Sequence, residues 1–596
     1  MQNQDLLDGR NFFYLFYSGA KKILEHQQEI NKLNVFPVAD ADTGSNLAST
    51  IRSILDSIKP DQSYKVLTGK IAEAALVGAR GNSGIIFAQF LSGLNEETSD
   101  CNTINLEDFA TSLKKSIKYL YDAIANPVEG TMLTVIREWS EFMYKHKNSE
   151  HDFRAVFSSS IEIAKQSLKD TPKKLKVLAK ANVVDAGAKG FVVFLEGMNE
   201  FLRTRNIKNL LSASRSIEIV DDFPEVTHET FNYNFCTEAL IKGESLDRKK
   251  IETIIKSYGD SVVIAGTERL ARIHVHTNHP SELMTELRET GTLSYQKADD
   301  MRKQYAAAHQ RKWNIALVTD SVCDIPEDIL EKYQINVVPL NLFFGENQYL
   351  DKVTINPDQF YFLMDASRDL PSTSQPSLKS FTNLYSRLLT HYDSVISIHV
   401  SGGLSGTVSG AQKAAEKIST ESGKRITVLD SKTLSGPLGL LVYRTAQAIE
   451  NGMTHDEILA EYNKWADFTE VLVSVKSMKN LVKSGRVSLL KGWFARLLGV
   501  KPIISVNKSG KTFLMDKTLS QAGNMRRIVK HMKVMMNEKK VWNYFILHAN
   551  FEEGADWFLK KIEPVAGKSP LSILNTSPVI GTHLGSKTVA VAFMYE

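Results

Sequence analysis

Apolar side chains recur at helical spacing along the first third of the chain. Near the start the apolar positions repeat at i, i+3, i+4 and i+7, at Phe12, Phe13, Phe16, Tyr17, Ala20, Ile23 and Leu24. The same period returns over residues 47–58, 65–77, 83–94, 106–124, 131–144, 153–168, 171–179 and 190–202. The pattern therefore predicts about nine helices and no strand up to residue 204, which indicates an all-α domain.

The period changes after a polar stretch between residues 211 and 228. Alternating apolar and polar positions predict strands over residues 231–241, 261–266, 271–277 and 293–297. Helical spacing returns over residues 246–258 and 280–290. The resulting order, strand–helix–strand–strand–helix–strand, is that of a small α+β domain of the split βαβ type.

Buried strands alternate with amphipathic helices in the remaining half of the chain. The predicted strands cover residues 314–321, 395–400, 427–429, 471–475 and 543–547. This alternation predicts an α/β fold with a mainly parallel sheet, built as one large unit or as two lobes. We therefore expect three domains, over residues 1–208, 225–305 and 313–596.

Composition agrees with a multidomain globular protein. The chain has 596 residues, of which 43% are hydrophobic and 23% charged, and its length suits about three or four domains. The formal net charge of +4 is small for this length, so no nucleic-acid partner is expected. Three widely spaced cysteines, a polar N-terminus and the lack of an apolar run of about 18 residues predict a cytoplasmic protein with at most transient membrane contact.

The segment from Asn34 to Asn46 is the first candidate for chemistry. Asp40 and Asp42 lie one residue apart, directly before a predicted helix start. Two carboxylates on a turn could bind Mg²⁺, and Thr43, Ser45 and Asn46 would offer hydroxyl and backbone N–H groups to phosphates at that helix start. The alternative is that Asp40 or Asp42 only caps the helix.

Three further loops of small residues precede predicted helices. Gly78-Ala79-Arg80-Gly81-Asn82-Ser83-Gly84 could cradle phosphates with its N–H groups and Ser83, with Arg80 as the counter-charge. The loops around Thr131 and Asp185 have the same design. Each loop alone could be an ordinary turn. Four of them at one end of a helical barrel would form a nucleotide–Mg²⁺ site.

The other two regions carry candidate ligands of different kinds. In the middle region Cys236 is followed along the chain by His274 and His276, whose spacing places both imidazoles on one face of a strand. These side chains could bind Zn²⁺, with water, a substrate or His279 as the fourth ligand, or could simply be buried. The C-terminal region has hydroxyl-rich loops, one Arg and one His, which suit an anionic carboxylate better than a nucleophile relay.

The four N-terminal loops resemble those of the DhaL family, the nucleotide-binding half of dihydroxyacetone kinases, and more closely the kinase component of bacterial fatty acid kinase. The resemblance implies that Asp40 and Asp42 hold Mg²⁺ on ATP, with Asn34 as a further contact. It also implies that Ser83, Thr131 and Asp185 line the nucleotide pocket. The Cys-Thr-Glu and His-x-His-Thr motifs are similar to the middle domain of the same family and favour the Zn²⁺ interpretation.

The region after residue 313 resembles the DegV family of fatty-acid-binding proteins. The resemblance rests on motifs that include Pro371–Pro376, Ser401–Thr407, Ser484–Val487 and Gly581–Gly585. It implies a two-lobed fold with a buried acyl chain. It further implies that Ser372 or Thr373, together with Ser401 and His583, holds the carboxylate, and that Arg486 lies near the entrance.

Taken together, the resemblances predict a fusion of a kinase with a fatty acid carrier. The expected reaction converts ATP and a long-chain fatty acid to an acyl phosphate for phospholipid synthesis. The expected partners are a fatty acid, a second copy of the chain in a homodimer, and separate DegV-type carriers. Two alternatives remain open at this point: a kinase of a small hydroxylated substrate, and a lipid-binding or regulatory protein without catalysis.

Overall fold

The computed structural model of the chain describes residues 6–36, 42–148, 152–205, 232–367, 370–477, 479–486 and 501–596. The chain divides into two compact units. The first comprises Met1–His279 and Glu286–Met301, and the second comprises Pro280–Thr285 and Arg302–Glu596. The first unit thus contains both the helical region and the strands of the middle region. Among the described residues, no helix is both long enough and apolar enough to cross a bilayer.

The N-terminal region is helical, as predicted. Its described helices are α1 (Gly9–Glu25), α2 (Gln27–Lys32), α3 (Thr43–Ser57), α4 (Tyr64–Gly78), α5 (Gly81–Glu97), α6 (Leu106–Asp122), α7 (Met132–Lys145), α8 (Phe153–Lys169), α9 (Thr171–Lys174), α10 (Lys176–Ala181) and α11 (Ala186–Thr204). Packing follows a closed circuit through α1, α3, α4, α5, α6, α7, α8 and α11, which returns to α1. Aromatic rings of α5, α7 and α11, such as Phe90, Trp139 and Phe191, meet edge to face in the core.

Polar side chains set several of these helix starts. Asp8 accepts a 2.7 Å hydrogen bond from the N–H of Asn11 at the start of α1, and Asn105 and Asp152 cap α6 and α8 in the same way. Such caps satisfy N–H groups that lack a partner within the helix.

Helix α2, one short strand ladder and a break in one helix were not predicted. A two-residue ladder pairs β1 (Leu7–Asp8) with β2 (Thr103–Ile104), which corrects the expectation that the region holds no strand. Two residues are too short to show a period of two, and their pairing depends on the burial of Leu7 and Ile104. The predicted helix over residues 171–179 is divided into α9 and α10, because Leu175 adopts an extended conformation.

The middle region has the predicted order of elements. It comprises β3 (Phe235–Lys242), α12 (Arg248–Tyr258), β4 (Gly259–Gly266), β5 (Leu270–Thr277), α13 (Pro280–Leu287) and β6 (Thr292–Asp300). The four strands form an antiparallel sheet in the order β4-β5-β3-β6. Val263 and Ala265 of β4 belong to the same hydrophobic core as the helices, so one face of this sheet packs on the helical region.

The second unit is α/β and contains three sheets among its described residues. The first has the parallel order β13-β12-β7-β8, the second the order β16-β15-β14-β19-β17-β18, and the third the antiparallel order β10-β9-β11. The strands are β7 (Ile315–Asp320), β8 (Asn336–Val338), β9 (Asn341–Phe344), β10 (Asn347–Leu350), β11 (Ser372–Ser374), β12 (Ser394–His399), β13 (Arg425–Asp430), β14 (Thr469–Ser474), β15 (Lys501–Val506), β16 (Thr512–Thr518), β17 (Val541–Ala549), β18 (Ser572–Asn575) and β19 (Thr588–Tyr595).

The helices of the second unit separate and cover these sheets. They are α14 (Met301–His309), α15 (Glu327–Lys332), α16 (Pro357–Ala366), α17 (Leu378–His391), α18 (Thr407–Ser422), α19 (Ser435–Glu450), α20 (His455–Asp467), α21 (Lys479–Lys483), α22 (Gln521–Glu538), α23 (Glu552–Ala566) and α24 (Pro578–Leu584). Helix α19 contacts β7 and β12 of the first sheet and β14, β17 and β19 of the second. The two large sheets thus share one core around α19.

The prediction of a mainly parallel sheet holds for the first sheet and is wrong for the second. In the second sheet β17 and β18 are parallel, and the other described pairs are antiparallel. Strand β19, the last in the chain, lies between β14 and β17. Alternation of helices and strands along the chain cannot reveal such an insertion, because strand order depends on contacts between distant segments.

Candidate functional site

The start of α3 holds Asp42, the described member of the Asp-x-Asp pair. Asp42 is the N-cap residue of α3, yet its side chain accepts no cap hydrogen bond from that helix. The Asp42 side chain therefore does not act as a helix cap, which was the alternative interpretation. Its partner in the motif, Asp40, lies outside the described residues. Next to Asp42, the buried hydroxyl of Thr43 donates a 2.8 Å hydrogen bond to Oδ1 of the buried Asn34, so Asn34 is held at this helix start.

Ser45 and Asn46, the next two residues predicted to contact phosphates, have different neighbours. The N–H of Ser45 donates to Oδ1 of Asn31 at 3.0 Å, and its hydroxyl accepts from Asn31 and Gln27. Ser45 therefore ties α3 to α2. The amide group of Asn46 lies against Gly81, where an added Cβ would collide with Nδ2. Asn46 thus brings the first loop to the glycine-rich loop, at a position whose φ of +56° favours glycine.

The glycine-rich loop leads into α5 without a side-chain cap. Arg80 is the N-cap residue, and its side chain makes no cap hydrogen bond. Its backbone N–H donates to Oγ1 of Thr50 at 3.2 Å. In the first turn, Oδ1 of Asn82 is buried with no hydrogen-bond partner among the described residues. A buried acceptor without a partner is costly, which fits a site that binds a ligand. Asn82 was not among the predicted site residues.

The third and fourth loops meet at Asp185. Its carboxylate caps α11 by accepting a 2.7 Å hydrogen bond from the N–H of Ala188, and it also accepts one from the N–H of Met132 in α7. Burial raises the pKa of Asp185 to about 6. Asp185 therefore joins two helix starts. The hydroxyl of Thr131 donates to the carbonyl of Val128 at 2.8 Å, which fixes the third loop.

All four predicted loops converge in the structure. A Cβ added to Gly187 in the fourth loop would meet Ser83 of the second loop and Met132 of the third at 3.1 and 3.3 Å. The first and second loops meet at Asn46 and Gly81. Of the four helices that follow these loops, α11 is capped by its N-cap side chain, and α3, α5 and α7 are not. A helix start that its own N-cap side chain does not cap can leave N–H groups for phosphate oxygens.

Cys236, His274 and His276 form a cluster on the middle sheet. Their potential ligand atoms all lie within 4.8 Å of one another, and Sγ of Cys236 is 3.9 Å from Nδ1 of His274. Nε2 of His274 is buried with no hydrogen-bond partner among the described residues. The donor set and this orphaned nitrogen fit Zn²⁺. His279, considered as a fourth ligand, is not part of the cluster that the described residues form.

Burial sets the protonation of this cluster. Burial raises the pKa of the Cys236 thiol well above its usual value. Burial and the neighbouring His274 lower the pKa of His276 to about 3. The imidazole of His276 is therefore neutral near pH 7, which is the form that binds a metal. A bound metal would displace the thiol proton of Cys236.

Charged side chains that were not among the predicted site residues surround the cluster. Glu238, Arg272 and Lys297 lie on the same sheet face as Cys236 and His274, because strand side chains alternate and Glu238 is paired with both His274 and Lys297. Burial raises the pKa of Glu238, but the charges of Lys297 and Arg272 outweigh it and hold that pKa well below its usual range. Glu238 lies two positions after Cys236 on the same strand, so the alternation of strand side chains could have placed it on the same face as Cys236.

The second unit contains a largely apolar cavity. It encloses about 1060 Å³ that no atom fills, part of it open to solvent. One wall is formed by residues of the second sheet, whose apolar members are Val471, Val473, Ile504, Val506, Leu547, Ala549 and Ala590. The residues that follow β7 and β12, Val322 and Val400, contribute from the first sheet.

Polar groups of the cavity include three of the predicted head-group residues. Thr373, Arg486 and His583 line the cavity, and Oγ1 of Thr373 is 3.3 Å from Nε2 of His583. Nδ1 of His583 is buried with no hydrogen-bond partner among the described residues. Burial, together with Arg486, lowers the pKa of His583 to about 4. A hydroxyl and a neutral imidazole thus meet in the cavity, and the positive charge of Arg486, which lines the same cavity, acts on that imidazole.

Two predicted head-group residues do not line the cavity. Ser372 is exposed, and the next residue of β11 faces the cavity instead. Ser401 is fully buried, and its hydroxyl donates a 2.8 Å hydrogen bond to the carbonyl of Gly510. Ser374, Gln375 and Ser405 line the cavity and were not selected from the sequence.

Three consecutive regions of the chain match family models. Residues 37–200 match the DAK2 domain. Residues 232–308 match a middle domain whose description names it as fatty-acid-kinase-like. Residues 314–596 match the description "Uncharacterised protein, DegV family".

Curated relatives share part of the chain. An uncharacterized protein of Staphylococcus saprophyticus is 30% identical over 309 residues, which is 50% of this chain and 56% of that protein. An uncharacterized protein of Mycoplasma pneumoniae is 34% identical over 320 residues, 50% of this chain and 57% of that protein. Protein YloV of Bacillus subtilis is 30% identical over 318 residues, with the same coverage. The chain spans little more than half the length of these relatives.

Solved structures similar to this chain cover nearly half of it. DegV of Bacillus subtilis, described as a fatty acid binding protein, is 28% identical, covering 48% of this chain and 100% of that chain, with a TM-score of 0.44. A fatty acid binding DegV family protein of Streptococcus agalactiae is 27% identical, covering 48% and 99%, with a TM-score of 0.45.

Proposed function

We propose that this chain, which joins a DAK2-like region, a fatty-acid-kinase-like middle region and a DegV-like region, is a fatty acid kinase with its own acyl-binding region. The reaction would transfer the γ-phosphoryl group of ATP to the carboxylate of a long-chain fatty acid, giving an acyl phosphate and ADP. The observation that carries the proposal is that one chain holds both four converging loops at helix starts and an apolar cavity with a polar head-group site.

The cavity would bind and present the acceptor. Its apolar walls keep water from the acyl chain, while the hydroxyl of Thr373, the imidazole of His583 and the guanidinium of Arg486 hold the carboxylate. Charge-assisted hydrogen bonds of this kind are stronger than neutral ones. Because a fatty acid carboxylate is already ionised near pH 7, the acceptor needs no general base.

The loops of the first unit would bind the donor. Mg²⁺–ATP supplies the phosphoryl group and the charge neutralisation that phosphoryl transfer requires. Asp42 and Asn34 would hold the metal, with Asp40 as the second carboxylate of the motif. The starts of α3, α5 and α7, whose own N-cap side chains make no cap hydrogen bond, would hold phosphates through their remaining N–H groups, with Asn46, Ser83 and Thr131 at the same loops. Asp185 would position two of these loops, as its hydrogen bonds indicate.

The middle region would hold Zn²⁺ through Cys236, His274 and His276. The ion would place a fixed positive charge on the middle sheet, which packs on the helical region. The proposal also includes a homodimer, exchange of fatty acid with separate DegV-type carriers, and use of the acyl phosphate in phospholipid synthesis.

Trapping of the acyl phosphate tests this function. The chain is incubated with ATP, Mg²⁺ and a long-chain fatty acid, and hydroxylamine converts any acyl phosphate to a hydroxamate. We expect hydroxamate from the wild-type chain and none from Asp42→Ala. Bound fatty acid without hydroxamate would indicate a lipid-binding protein without kinase activity. Phosphorylation of dihydroxyacetone in the absence of fatty acid would indicate a kinase of small hydroxylated substrates.

A mixing experiment identifies which chain the acyl-binding region serves. One variant carries Asp42→Ala, and the other carries Thr373→Val and His583→Ala. Each alone should form no hydroxamate. Turnover by the mixture would mean that a chain phosphorylates the fatty acid held by another chain, and no turnover would mean that each chain serves itself.

A further inference from the structure

The start of α5 is capped by a residue of the middle sheet. The backbone N–H of Gly81 donates a 2.7 Å hydrogen bond to Oε1 of Glu238, 157 positions away in the sequence. Gly81 has a φ of +56°, a backbone conformation that favours glycine. Since the N-cap residue Arg80 makes no side-chain cap hydrogen bond, Glu238 takes over the role that a local cap residue has in other helices.

Glu238 is itself held rigidly. The carboxylate is fully buried, and its other oxygen, Oε2, accepts a 2.6 Å hydrogen bond from Nη2 of Arg272, whose side chain is 1% exposed. The guanidinium of Arg272 stacks on the ring of Tyr295 at 4.5 Å from the ring centre. Oε1 of Glu238 also lies 3.7 Å from Nδ1 of His274. A buried charge pair of this kind fixes the position of the carboxylate, so it can define where Gly81 sits.

The hydrogen bond divides the N–H groups of the first turn of α5 into two pairs. An α-helix begins with four N–H groups that lack a partner within the helix. At α5 the first of these, on Arg80, donates to Thr50, and the second, on Gly81, donates to Glu238. The next two belong to Asn82 and Ser83. Asn82 also contributes the buried side-chain oxygen that has no hydrogen-bond partner among the described residues.

We infer that Glu238 is a positioning residue of the nucleotide site, which anchors the glycine-rich loop on the middle sheet so that the N–H groups of Asn82 and Ser83 face a phosphate. This inference rests on the proposed function of the loops and adds the middle sheet to the machinery that binds the nucleotide. It predicts that the middle region is needed for nucleotide affinity even though Glu238 does not touch the nucleotide.

Binding of MgADP to the full chain, measured by isothermal titration calorimetry, tests this role. Because removal of Glu238 alone leaves the charge of Arg272 buried, the main variant is the double change Glu238→Leu with Arg272→Met, which replaces the pair by apolar side chains of similar size. We expect its MgADP affinity to fall by about tenfold or more, as for the loss of a hydrogen bond to a charged group. Glu238→Gln keeps an acceptor for Gly81 and should recover part of the affinity.

Two controls separate positioning from a loss of folding. Thr237→Val changes the neighbouring residue on the opposite face of β3, where Thr237 is equally buried, and should bind MgADP as the wild type does. Hydrogen exchange of the Gly81 amide should be faster in the double variant than in the wild type. Fatty acid affinity and the KM for fatty acid should stay unchanged in the double variant, while the KM for ATP rises.

The outcomes distinguish this inference from the proposed function. Wild-type affinity for MgADP in the double variant would overturn the role of Glu238 and leave the proposed kinase intact. Equal losses in Thr237→Val and in the double variant would also overturn it, because any damage to the sheet would then have the same effect. A wild-type chain that does not bind MgADP would overturn both.

Discussion

The hydroxyl of Thr373 lies 3.3 Å from Nε2 of His583, 210 positions further along the chain. This contact joins β11 to α24 where Arg486 also lines the cavity. Ser372, the residue before Thr373 in β11, is exposed and does not line the cavity. A head-group site thus arises from three distant segments, and the two adjacent hydroxyl residues of β11 should differ sharply in their effect on a ligand.

Thr373→Val should weaken fatty acid binding by about tenfold, because it removes a hydrogen bond to a charged group while keeping the shape of the side chain. Ser372→Ala is the matched control on the next residue and should bind as the wild type does. Equilibrium binding of a labelled long-chain fatty acid to delipidated protein measures both. Equal losses in the two variants, or none in Thr373→Val, would contradict the head-group assignment.

Asp42→Ala should lower acyl phosphate formation by about 100-fold or more, because phosphoryl transfer depends on charge neutralisation by a bound metal. The Asp42 side chain makes no cap hydrogen bond on α3, so this change should not cost the stability that the loss of a helix cap costs, about 1 kcal/mol. Asp152→Ala should instead lower the stability and leave acyl phosphate formation unchanged. That aspartate caps α8, so its loss should cost about 1 kcal/mol of stability and leave activity intact. Urea unfolding and hydroxamate yield together decide the assignment.

Cys236→Ser should abolish zinc binding, because the cluster would lose its thiolate ligand. We expect about one zinc ion per chain in the wild type. Cys101→Ser is the control, since Cys101 is a free cysteine outside the cluster. Metal content after dialysis against a weak chelator, measured by mass spectrometry, checks the prediction. Zinc that persists in Cys236→Ser would rule the cluster out as its site.

Stability of the fatty-acid-free protein should fall as the pH drops from 6.5 to about 4. Burial lowers the pKa of His583 from 6.5 to about 4, so in this interval the unfolded chain binds a proton that the folded chain does not. The stabilisation is complete above pH 6.5 and lost as the pH falls through about 4. Thermal unfolding of wild-type and His583→Leu proteins at pH 7 and pH 5 measures the contribution, and the variant should lose less stability.

A bound carboxylate should shift the pKa of His583 in the opposite direction from burial. An anion next to an imidazole raises its pKa, so the protein loaded with fatty acid should lose less stability over the same pH interval than the free protein. Identical pH dependence of wild type and His583→Leu, with and without fatty acid, would mean that His583 does not face the ligand.

The sequence by itself determined the elements of the first and middle regions and the position of the four loops. Apolar spacing predicted the helices of the first region and the order of elements in the middle region, because burial of one face imposes a period on each element separately. The four small-residue loops were likewise visible as helix starts. Their N–H groups belong to the helix geometry, so they are present wherever such a loop precedes a helix.

Tertiary structure alone decided which of these groups work together. It placed Asn46 on Gly81, turned Ser45 toward α2, and made Asp185 a link between two helix starts. It inserted β19 between β14 and β17, and it brought Glu238 to the glycine-rich loop from 157 positions away. The sequence period fixes which face of an element is buried. The packing of the whole chain decides which distant element covers that face. Contacts between remote residues produce no periodic pattern in the sequence.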